Sequence, residues 1–298
     1  MEIKWLEDFI SLANTLSFSR SAEERHVTQS AFSRRIKQLE TWLGVPLVDR
    51  ATYPAHLTQA GQDFLPVAQE AVASLYRSRN EIRESQGIRA NTLSFAALHT
   101  LSITFFPRWL RSLEPRFGAL STRLSADNSS MEGFVNSLIE GESDFLLIYA
   151  HPDVPIMIDE TRFMYRTLGR ENIIPVSAPD AEGHPLHPIN ESGKPVRYLA
   201  YGPGAFFGHA LTSLFEHRSL ERIQVYENTM SEGLKAMVLV GSGLAWIPES
   251  ILVDDLAAGR VVRAGDPSWD LSVDIRLYRF LANERPIVRR FWNLLDTR

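Results

Sequence analysis

Residues 18–50 read FSRSAEERHVTQSAFSRRIKQLETWLGVPLVDR. Their spacing predicts two short helices joined by a tight connection, at about 19–25 and 28–43, followed by a turn. The hydroxyl of Thr28 can cap the first turn of the second helix. The residues predicted to pack inward recur at helical spacing as Ile36, Leu39 and Leu43. This arrangement is typical of a helix-turn-helix, which places its second helix in the major groove of DNA.

The outward face of the second helix carries side chains that suit a major groove. Glutamine can pair with adenine, serine can contact several bases, and arginine can hold guanine or the backbone. No acidic residue lies between Thr28 and Gln38, which favours this interpretation over an ordinary amphipathic surface helix. The predicted DNA-binding residues are Thr28, Gln29, Ser30, Ser33, Arg34, Arg35 and Lys37, with Arg50 as a phosphate contact from the following segment. For Arg50, a salt bridge to the body of the domain is the alternative.

This N-terminal pattern resembles the DNA-binding domain of LysR-type transcriptional regulators. The matching positions are Phe9, Phe18, Ala22, Val27, Gln29, Ser30, Ala31, Ser33, Ile36, Leu39, Glu40, Leu43, Gly44, Val45, Leu47 and Arg50, followed by L-T-x-A-G at 57–61. Arg25 departs from the family, which mostly has an apolar residue there; it either adds a phosphate contact or lies along the surface. The segments AFSRRIKQLE, MSEGLK and GLAWIPE look most like the hypochlorite-responsive members.

The resemblance implies a fold of class α+β or α/β. An N-terminal winged helix-turn-helix (1–57) would be followed by a linker helix for dimerisation (58–86). A C-terminal two-lobe α/β effector domain, similar to periplasmic binding proteins, would comprise lobe I (91–163 and 268–298) and lobe II (164–267). The implied partners are double-stranded DNA with an inverted-repeat operator, a small-molecule effector, further copies of the chain in a dimer or tetramer, and RNA polymerase.

The segment after the helix-turn-helix predicts a wing and a long helix. Residues 49–56 would form the wing, with Leu57 returning as its second strand. A helix capped by Thr58 and running to Ser85 carries a narrow apolar stripe that recurs every three or four residues, as a coiled coil requires. Its charged positions favour an exposed helix that needs a partner chain over an ordinary core helix.

From residue 92 onward, strands and helices alternate, which predicts a parallel sheet with right-handed crossovers. Strands are predicted at 92–97, 121–126 and 145–149, then at 173–176, 197–201, 223–226 and 243–248, with a return at 271–278. Ligands of such sheets bind at the carboxyl ends of strands. The effector-binding residues predicted there are Thr100, Ser102, Asn128, Ser129, Tyr149, Tyr201, Phe206, Thr229 and Met230. Their hydroxyls and the backbone N–H groups near Ser102 suit a carboxylate or other small anion.

Composition limits the remaining function classes. No run approaches the ~20 apolar residues of a membrane span, and the N-terminus lacks the apolar core of a signal peptide, so we expect a cytoplasmic protein. The net charge of −5 belongs to residues 91–298, because residues 1–90 are neutral overall; non-specific attraction to DNA should therefore be modest. The absence of cysteine excludes disulfides, thiolate zinc sites and thiol redox sensing.

No motif predicts catalysis. There is no glycine-rich phosphate loop, no nucleophilic serine elbow and no distinctive carboxylate pair, and His184 and His187 lack a third metal ligand, so we expect no enzyme activity, cofactor or metal. Two other functions stay open. Oxidation of Met230 could make the chain an oxidant-responsive regulator. Alternatively, the chain is a small-molecule binding protein whose helix-turn-helix only mediates dimerisation; salt-dependent, sequence-specific DNA binding would separate these classes.

Overall fold

The computed structural model describes the chain except residues 51–53, 86–90, 119, 127–130, 156, 157, 160, 190–194, 203 and 297–298. It separates into two compact units, Met1–Ala90 with Ile139–Glu142 and Asn91–Leu138 with Ser143–Arg298. Within the described residues, no helix has the length and apolar content needed to cross a membrane.

The described residues of the first unit form four helices and a short antiparallel hairpin. These elements are α1 (Ile3–Thr15), α2 (Phe18–Glu24), α3 (Gln29–Leu43), β1 (Val48–Asp49), β2 (His56–Leu57) and α4 (Gln59–Ser85). The helices enclose a core in which Phe9, Phe32, Ile36 and Leu39 have no exposed surface. Phe32, one turn before Ile36, is the buried residue that the sequence interpretation omitted, while Leu43 is only half-buried. The predicted helix-turn-helix is confirmed.

Local capping explains where α3 and α4 begin. The Oγ1 of Thr28 accepts a hydrogen bond from the Ala31 N–H at 3.3 Å, as the cap prediction requires. The Oγ1 of Thr58 similarly accepts from the Gly61 N–H at 3.0 Å. A Cβ at Gly61 would lie 2.1 Å from the carbonyl oxygen of Leu47. Only glycine therefore permits α4 to approach the segment that leads into the hairpin.

The second unit is built from alternating strands and helices. In chain order these are β3 (Thr92–Ala97), α5 (His99–Thr104), α6 (Phe106–Phe117), β4 (Ser121–Ser125), α7 (Met131–Ile139), β5 (Phe145–Ala150), β6 (Phe163–Ser177), β7 (Val196–Tyr201), α8 (Phe206–His217), β8 (Arg222–Asn228), α9 (Ser231–Leu239), β9 (Ala245–Pro248), α10 (Val253–Ala257), β10 (Val262–Arg263), β11 (Leu271–Phe280) and α11 (Pro286–Leu294). Short 3₁₀ turns lie at Glu249–Ile251 and Pro267–Trp269.

The strands of this unit form a mixed sheet and a separate parallel pair. The seven-stranded sheet has the order β10–β6–β11–β5–β3–β4, with β9 also paired to β6. As predicted, β3 is parallel to both β4 and β5. The returning strand β11 runs antiparallel to β5 and β6. Strands β7 and β8 pair with each other in parallel, and the Leu199 N–H donates to the carbonyl of Leu244 at 2.8 Å.

Strand β6 is much longer than the sequence predicts. It has 15 residues, whereas the sequence pattern predicts a strand only at 173–176. Its first part pairs with β11 from Phe163 opposite Phe280 onward and alternates between buried and exposed positions. A strand with one face in solvent alternates apolar and polar residues. It therefore lacks the continuous apolar run from which the buried strand at 173–176 is predicted. The predicted boundary between lobe I and lobe II, at 163/164, would lie within this continuous strand. The lobe limits stay a prediction.

Candidate nucleic-acid interface and ligand cleft

The face of α3 away from the core presents a polar and basic surface. Gln29, Ser30, Arg34 and Lys37 are exposed, and Ser33 is half-buried. Across the ranges that the structure describes, neither Arg34 nor Lys37 takes part in an ion pair. Both cations are therefore available to an outside anion, and the capping role of Thr28 fixes the first turn that carries Gln29 and Ser30.

Arg35, one of the predicted DNA-binding residues, pairs with a buried carboxylate of α1 in the structure. Its Nη1 donates to Oδ2 of Asp8 at 3.2 Å, and the Asp8 side chain has no exposed surface. A buried carboxylate needs paired cations or hydrogen bonds, so Arg35 turns toward α1 instead of joining the exposed face. This contact could not be read from the helical spacing alone because Asp8 lies in a different helix.

Arg25 joins the same internal network. Its guanidinium contacts the carboxylates of Glu7 at 2.5 Å and Asp8 at 2.9 Å. Burial alone would lower the pKa of Arg25, but its hydrogen bond to Asp8 and the nearby charge of Glu7 raise it above its ordinary value. The Tyr76 hydroxyl of α4 also donates to Glu7, at 2.5 Å. Arg25 thus ties the end of α2 to α1, a structural role that the sequence interpretation did not include.

Arg50 follows β1 and forms the salt bridge that was the alternative interpretation. Its Nη2 lies 3.0 Å from Oε2 of Glu40, and its guanidinium sits 5.2 Å from the centre of the Phe18 ring. The other carboxylate oxygen of Glu40 accepts the Leu47 N–H at 3.0 Å. Glu40 therefore connects α3 with the residues on either side of β1. The wing residues 51–53 lie outside the described residues.

One stripe of large apolar side chains on α4 is exposed in the single chain. Val67 is 58% exposed, Leu75 56% and Ile82 64%. These residues are seven or eight positions apart, which is a heptad-like spacing. Because water contact with such a stripe is unfavourable, the stripe is a surface that a second helix could cover.

In the second unit, aromatic residues from three elements meet at the ends of β5 and β7. Phe207 lies 4.8 Å from Tyr149 and 5.4 Å from Tyr201 between ring centres. Phe206 stacks on Tyr149 at 6.0 Å. The Tyr201 hydroxyl is 2.8 Å from Oγ of Ser231, at the start of α9. The structure thus brings three of the predicted effector residues, Tyr149, Tyr201 and Phe206, into one cluster.

Of the two predicted residues on α5, one is buried and the other is bonded within its own helix. Thr100 is buried, and the Ser102 hydroxyl donates to the carbonyl of His99 at 2.6 Å. The backbone N–H of Ser102 is bonded to the Leu98 carbonyl at 3.0 Å. That N–H is consequently occupied, which removes part of the basis for an anion site near Ser102.

The remaining predicted effector residues are placed differently. Thr229 and Met230 are both exposed, Met230 by 48%. Met230 is the N-cap residue of α9, and its N–H is bonded to Oδ1 of Asn228 at 2.9 Å. Asn128 and Ser129 lie outside the described residues.

Two acidic residues that the sequence interpretation missed accompany the aromatic cluster. Glu171 of β6 is 7% exposed, and its Oε1 accepts the Ser250 N–H at 3.1 Å. Burial raises the pKa of Glu171 above its ordinary value. Glu232 lies in the first turn of α9, and its charge and that of Glu171 both act on Tyr149. Glu232 was within the quoted MSEGLK segment, but nothing in one sequence indicates that its carboxylate is buried.

We find no group of acidic or histidine residues arranged to hold a metal ion in the part of the chain that is described. The 3₁₀ turn Glu249–Ile251 packs against both α5 and β6. We call the group formed by Tyr149, Glu171, Tyr201, Phe206 and Glu232 the cleft cluster. Its side chains carry hydroxyl, carboxylate and aromatic groups.

Comparisons with known proteins match both units. The model for bacterial regulatory helix-turn-helix proteins of the lysR family matches residues 3–62, and the LysR substrate binding domain matches residues 86–298. The HTH-type transcriptional regulator YjiE of Escherichia coli (strain K12) is 29% identical over 296 residues, 99% of this chain and 94% of that protein.

Solved structures of full-length regulators are also similar. Vibrio fischeri DarR in complex with DNA has a TM-score of 0.59 and 28% identity, covering 100% of this chain and 99% of that chain. HypT from Salmonella typhimurium, described as a hypochlorite-specific LysR-type transcriptional regulator, has a TM-score of 0.58 and 26% identity, covering 99% of this chain and 97% of that chain.

Proposed function

Because the chain belongs to the LysR family of transcriptional regulators, we propose that it is a ligand-gated regulator that binds an inverted-repeat operator through α3. The family assignment makes it a DNA-binding regulator with an effector-binding domain and not an enzyme. The observation that carries the proposal is the exposed face of α3, where Arg34 and Lys37 have no ion pair among the described residues.

We propose that α3 enters the major groove with Gln29, Ser30, Ser33, Arg34 and Lys37 toward the DNA. Glutamine and arginine at such positions read adenine and guanine edges, while lysine and serine hold phosphates. Thr28 acts by capping the helix. Arg35 is left out because it is bonded to Asp8. In the same proposal, Arg50 stays paired with Glu40 and contacts phosphate through the exposed part of its side chain.

Two copies of α3 are needed to read an inverted repeat, so we propose that the exposed stripe on α4 pairs two chains. Such a regulator is also expected to form tetramers and to contact RNA polymerase. Adjacent half-sites would place the two recognition helices about 34–36 Å apart. The known structure of DarR bound to DNA supports the DNA-binding part of this proposal. Since its target is chromosomal DNA, we expect the protein to act in the cytoplasm.

The decisive experiment is a gel-shift titration of the full chain. One DNA probe is the sequence upstream of the protein's own gene, and the other is a scrambled version of it. We expect specific binding that weakens as salt is raised, because counterions are released on binding. Arg34→Ala should weaken specific binding by about 1–3 kcal/mol if the arginine pairs with guanine. The exposed neighbour Gln38→Ala serves as the control. Equal binding of specific and scrambled DNA would support a ligand-binding protein whose helix-turn-helix only dimerises.

The effector is proposed to be a small molecule that binds at the cleft cluster and changes the arrangement of the two lobes. Hinge closure around a ligand is the usual response of two-lobe domains. The sequence alone favours a carboxylate or another small anion. Two features count against an anion: the Ser102 N–H is already bonded, and the buried carboxylate oxygens of Glu171 and Glu232 would repel a negative charge.

An oxidant-responsive regulator is the second candidate. The observation that favours it is the 48% exposure of Met230, the N-cap residue of α9, because an exposed thioether is accessible to oxidants. The similarity to HypT, described as hypochlorite-specific, adds support. Treatment with dilute hypochlorite should then alter operator binding in the native chain and not in Met230→Leu. An unchanged response in that variant would remove Met230 from the mechanism.

A further inference from the structure

Two side chains of the cleft cluster have buried polar atoms without a hydrogen-bond partner among the described residues. Tyr149 is 1% exposed, and its Oη has no partner. Both carboxylate oxygens of Glu232 are also buried and unpartnered. Buried polar atoms of folded proteins are nearly always paired. These three atoms therefore indicate that a group from outside the described chain completes the site.

The charged groups that act on the Tyr149 hydroxyl are all negative. Burial raises the pKa of Tyr149 well above its ordinary value, and the negative charges of Glu171 and Glu232 raise it further. No basic side chain of the described residues acts on this hydroxyl. Tyr149 is consequently a neutral phenol whose oxygen can accept a hydrogen bond, beside two carboxylates.

The basic residues closest in sequence to Glu232 and Glu171, Lys235 and Arg170, are already paired. Lys235, less than one turn beyond Glu232 on α9, donates to Oδ2 of Asp255 at 2.9 Å and to the carbonyl of Ile251 at 3.0 Å. Arg170 on β6 lies 3.5 Å from Oδ1 of Asp274. Neither residue is thus free to neutralise Glu232, and the described part of the chain supplies no other cation to its carboxylate.

Aromatic rings also contact Tyr149. Phe206 stacks on it at 6.0 Å, and Phe207 lies 4.8 Å away. Aromatic faces attract cations electrostatically and also bury short apolar stems. The cluster therefore offers carboxylate oxygens, a phenol oxygen and apolar rings, and it offers no positive charge to a ligand.

We propose that the ligand of this cleft is a small organic cation, with a protonated amine or a guanidinium group bound to Glu232 and to the oxygen of Tyr149. The inference rests on the proposed function, because it names the ligand class of the same effector cleft. The N–H donors of such a group satisfy all three unpaired acceptor atoms through charge-assisted hydrogen bonds. A carboxylate ligand would instead meet two like charges. The organic cation replaces the small anion that the sequence predicts.

The test is a thermal-shift titration of the full chain with matched probes. Putrescine and agmatine represent organic cations, magnesium chloride an inorganic cation, and succinate and benzoate anions. A ligand that binds only the folded state raises the melting temperature by mass action. Glu232→Gln keeps the shape of the side chain and removes its charge. Glu216→Gln, at an exposed position of α8, changes net charge equally and is the control.

We expect putrescine or agmatine to raise the melting temperature of the native and Glu216→Gln proteins, with affinity at least about tenfold weaker in Glu232→Gln. Without any probe, Glu232→Gln should melt higher than the native chain, because an unpaired buried charge is removed. A lower melting temperature would show that Glu232 already has a partner and would overturn the proposal. So would a shift with anions or magnesium alone, or no shift with either organic cation.

The operator gel shift, run on the same native sample, separates the two proposals. Retained operator binding with failure of the organic cations overturns only the ligand class. Loss of specific operator binding by the native chain overturns the regulator proposal itself. A cation that binds the cleft and also changes operator binding supports both.

Discussion

The guanidinium of Arg35 lies 3.2 Å from the carboxylate of Asp8, a side chain with no exposed surface. Arg25 contacts the other oxygen of the same carboxylate at 2.9 Å. Asp8 therefore joins α1 to α2 and to α3 at once. Arg34, the preceding residue of α3, is exposed. Two adjacent arginines thus have different surroundings, because one is bonded to a buried carboxylate and the other is exposed.

Arg35→Ala should destabilise the first unit by about 1–3 kcal/mol, because a hydrogen bond to a buried charged group is lost while Arg25 still pairs with Asp8. Urea unfolding followed by circular dichroism measures this effect. Arg34→Ala, at the exposed neighbouring position, should change stability by less than about 0.5 kcal/mol. If the two variants unfold at the same urea concentration, the Asp8 contact contributes nothing to stability.

Leu75→Asp should weaken self-association, since a charge would replace an apolar side chain in the stripe proposed to face a second α4. In the single chain Leu75 is 56% exposed, so the substitution should leave folding of one copy intact. Sedimentation measures the change in mass, and circular dichroism checks the fold. Gln62→Glu, another exposed position of α4, is the control. An unchanged mass for Leu75→Asp would place the interface elsewhere.

The parts of this fold that depend on local sequence could be predicted. The Thr28 cap, the inward positions Ile36 and Leu39, and the parallel strands around β3 all follow from short-range spacing. The role of Arg35 could not be predicted, because Asp8 lies 27 residues away in another helix. Helical spacing places a side chain on a face but does not identify which buried charge will attract it.

The cleft cluster shows the same limit. The proximity of Tyr149, Tyr201 and Phe206 could be predicted, because the ends of strands and the starts of helices lie at the same edge of an α/β sheet. Glu171 lies in a half-solvated part of β6 that has no strand-like apolar run. The unpaired state of Glu232 depends on which cations its neighbours have already taken. Such information exists only once Lys235 has been placed against Asp255.

Asp144→Asn should destabilise the second unit by about 3–5 kcal/mol, because breaking a buried ion pair leaves an unpaired charge. Nη1 of Arg285 lies 2.7 and 2.8 Å from the two carboxylate oxygens of Asp144, which is 1% exposed. The N–H and hydroxyl of Ser94 donate to the same carboxylate. A urea titration followed by tryptophan fluorescence tests this, with the exposed Asp153→Asn as control. Equal midpoints for both variants would contradict it.

Asp255→Asn should destabilise the protein at neutral pH and lose this effect in acid. The hydrogen bond from Lys235 is the main cause that holds the pKa of Asp255 below its ordinary value of 3.8, with Arg260 acting in the same direction and burial opposing. Because the folded-state pKa is the lower one, the stabilisation is fully present above 3.8 and is lost as the pH falls through the folded-state value. Melting temperatures of native, Asp255→Asn and exposed Asp254→Asn proteins, measured from neutral to acidic pH, test this. The native chain and Asp255→Asn should converge in acid, and a gap that persists or widens there would contradict the assigned role of Lys235.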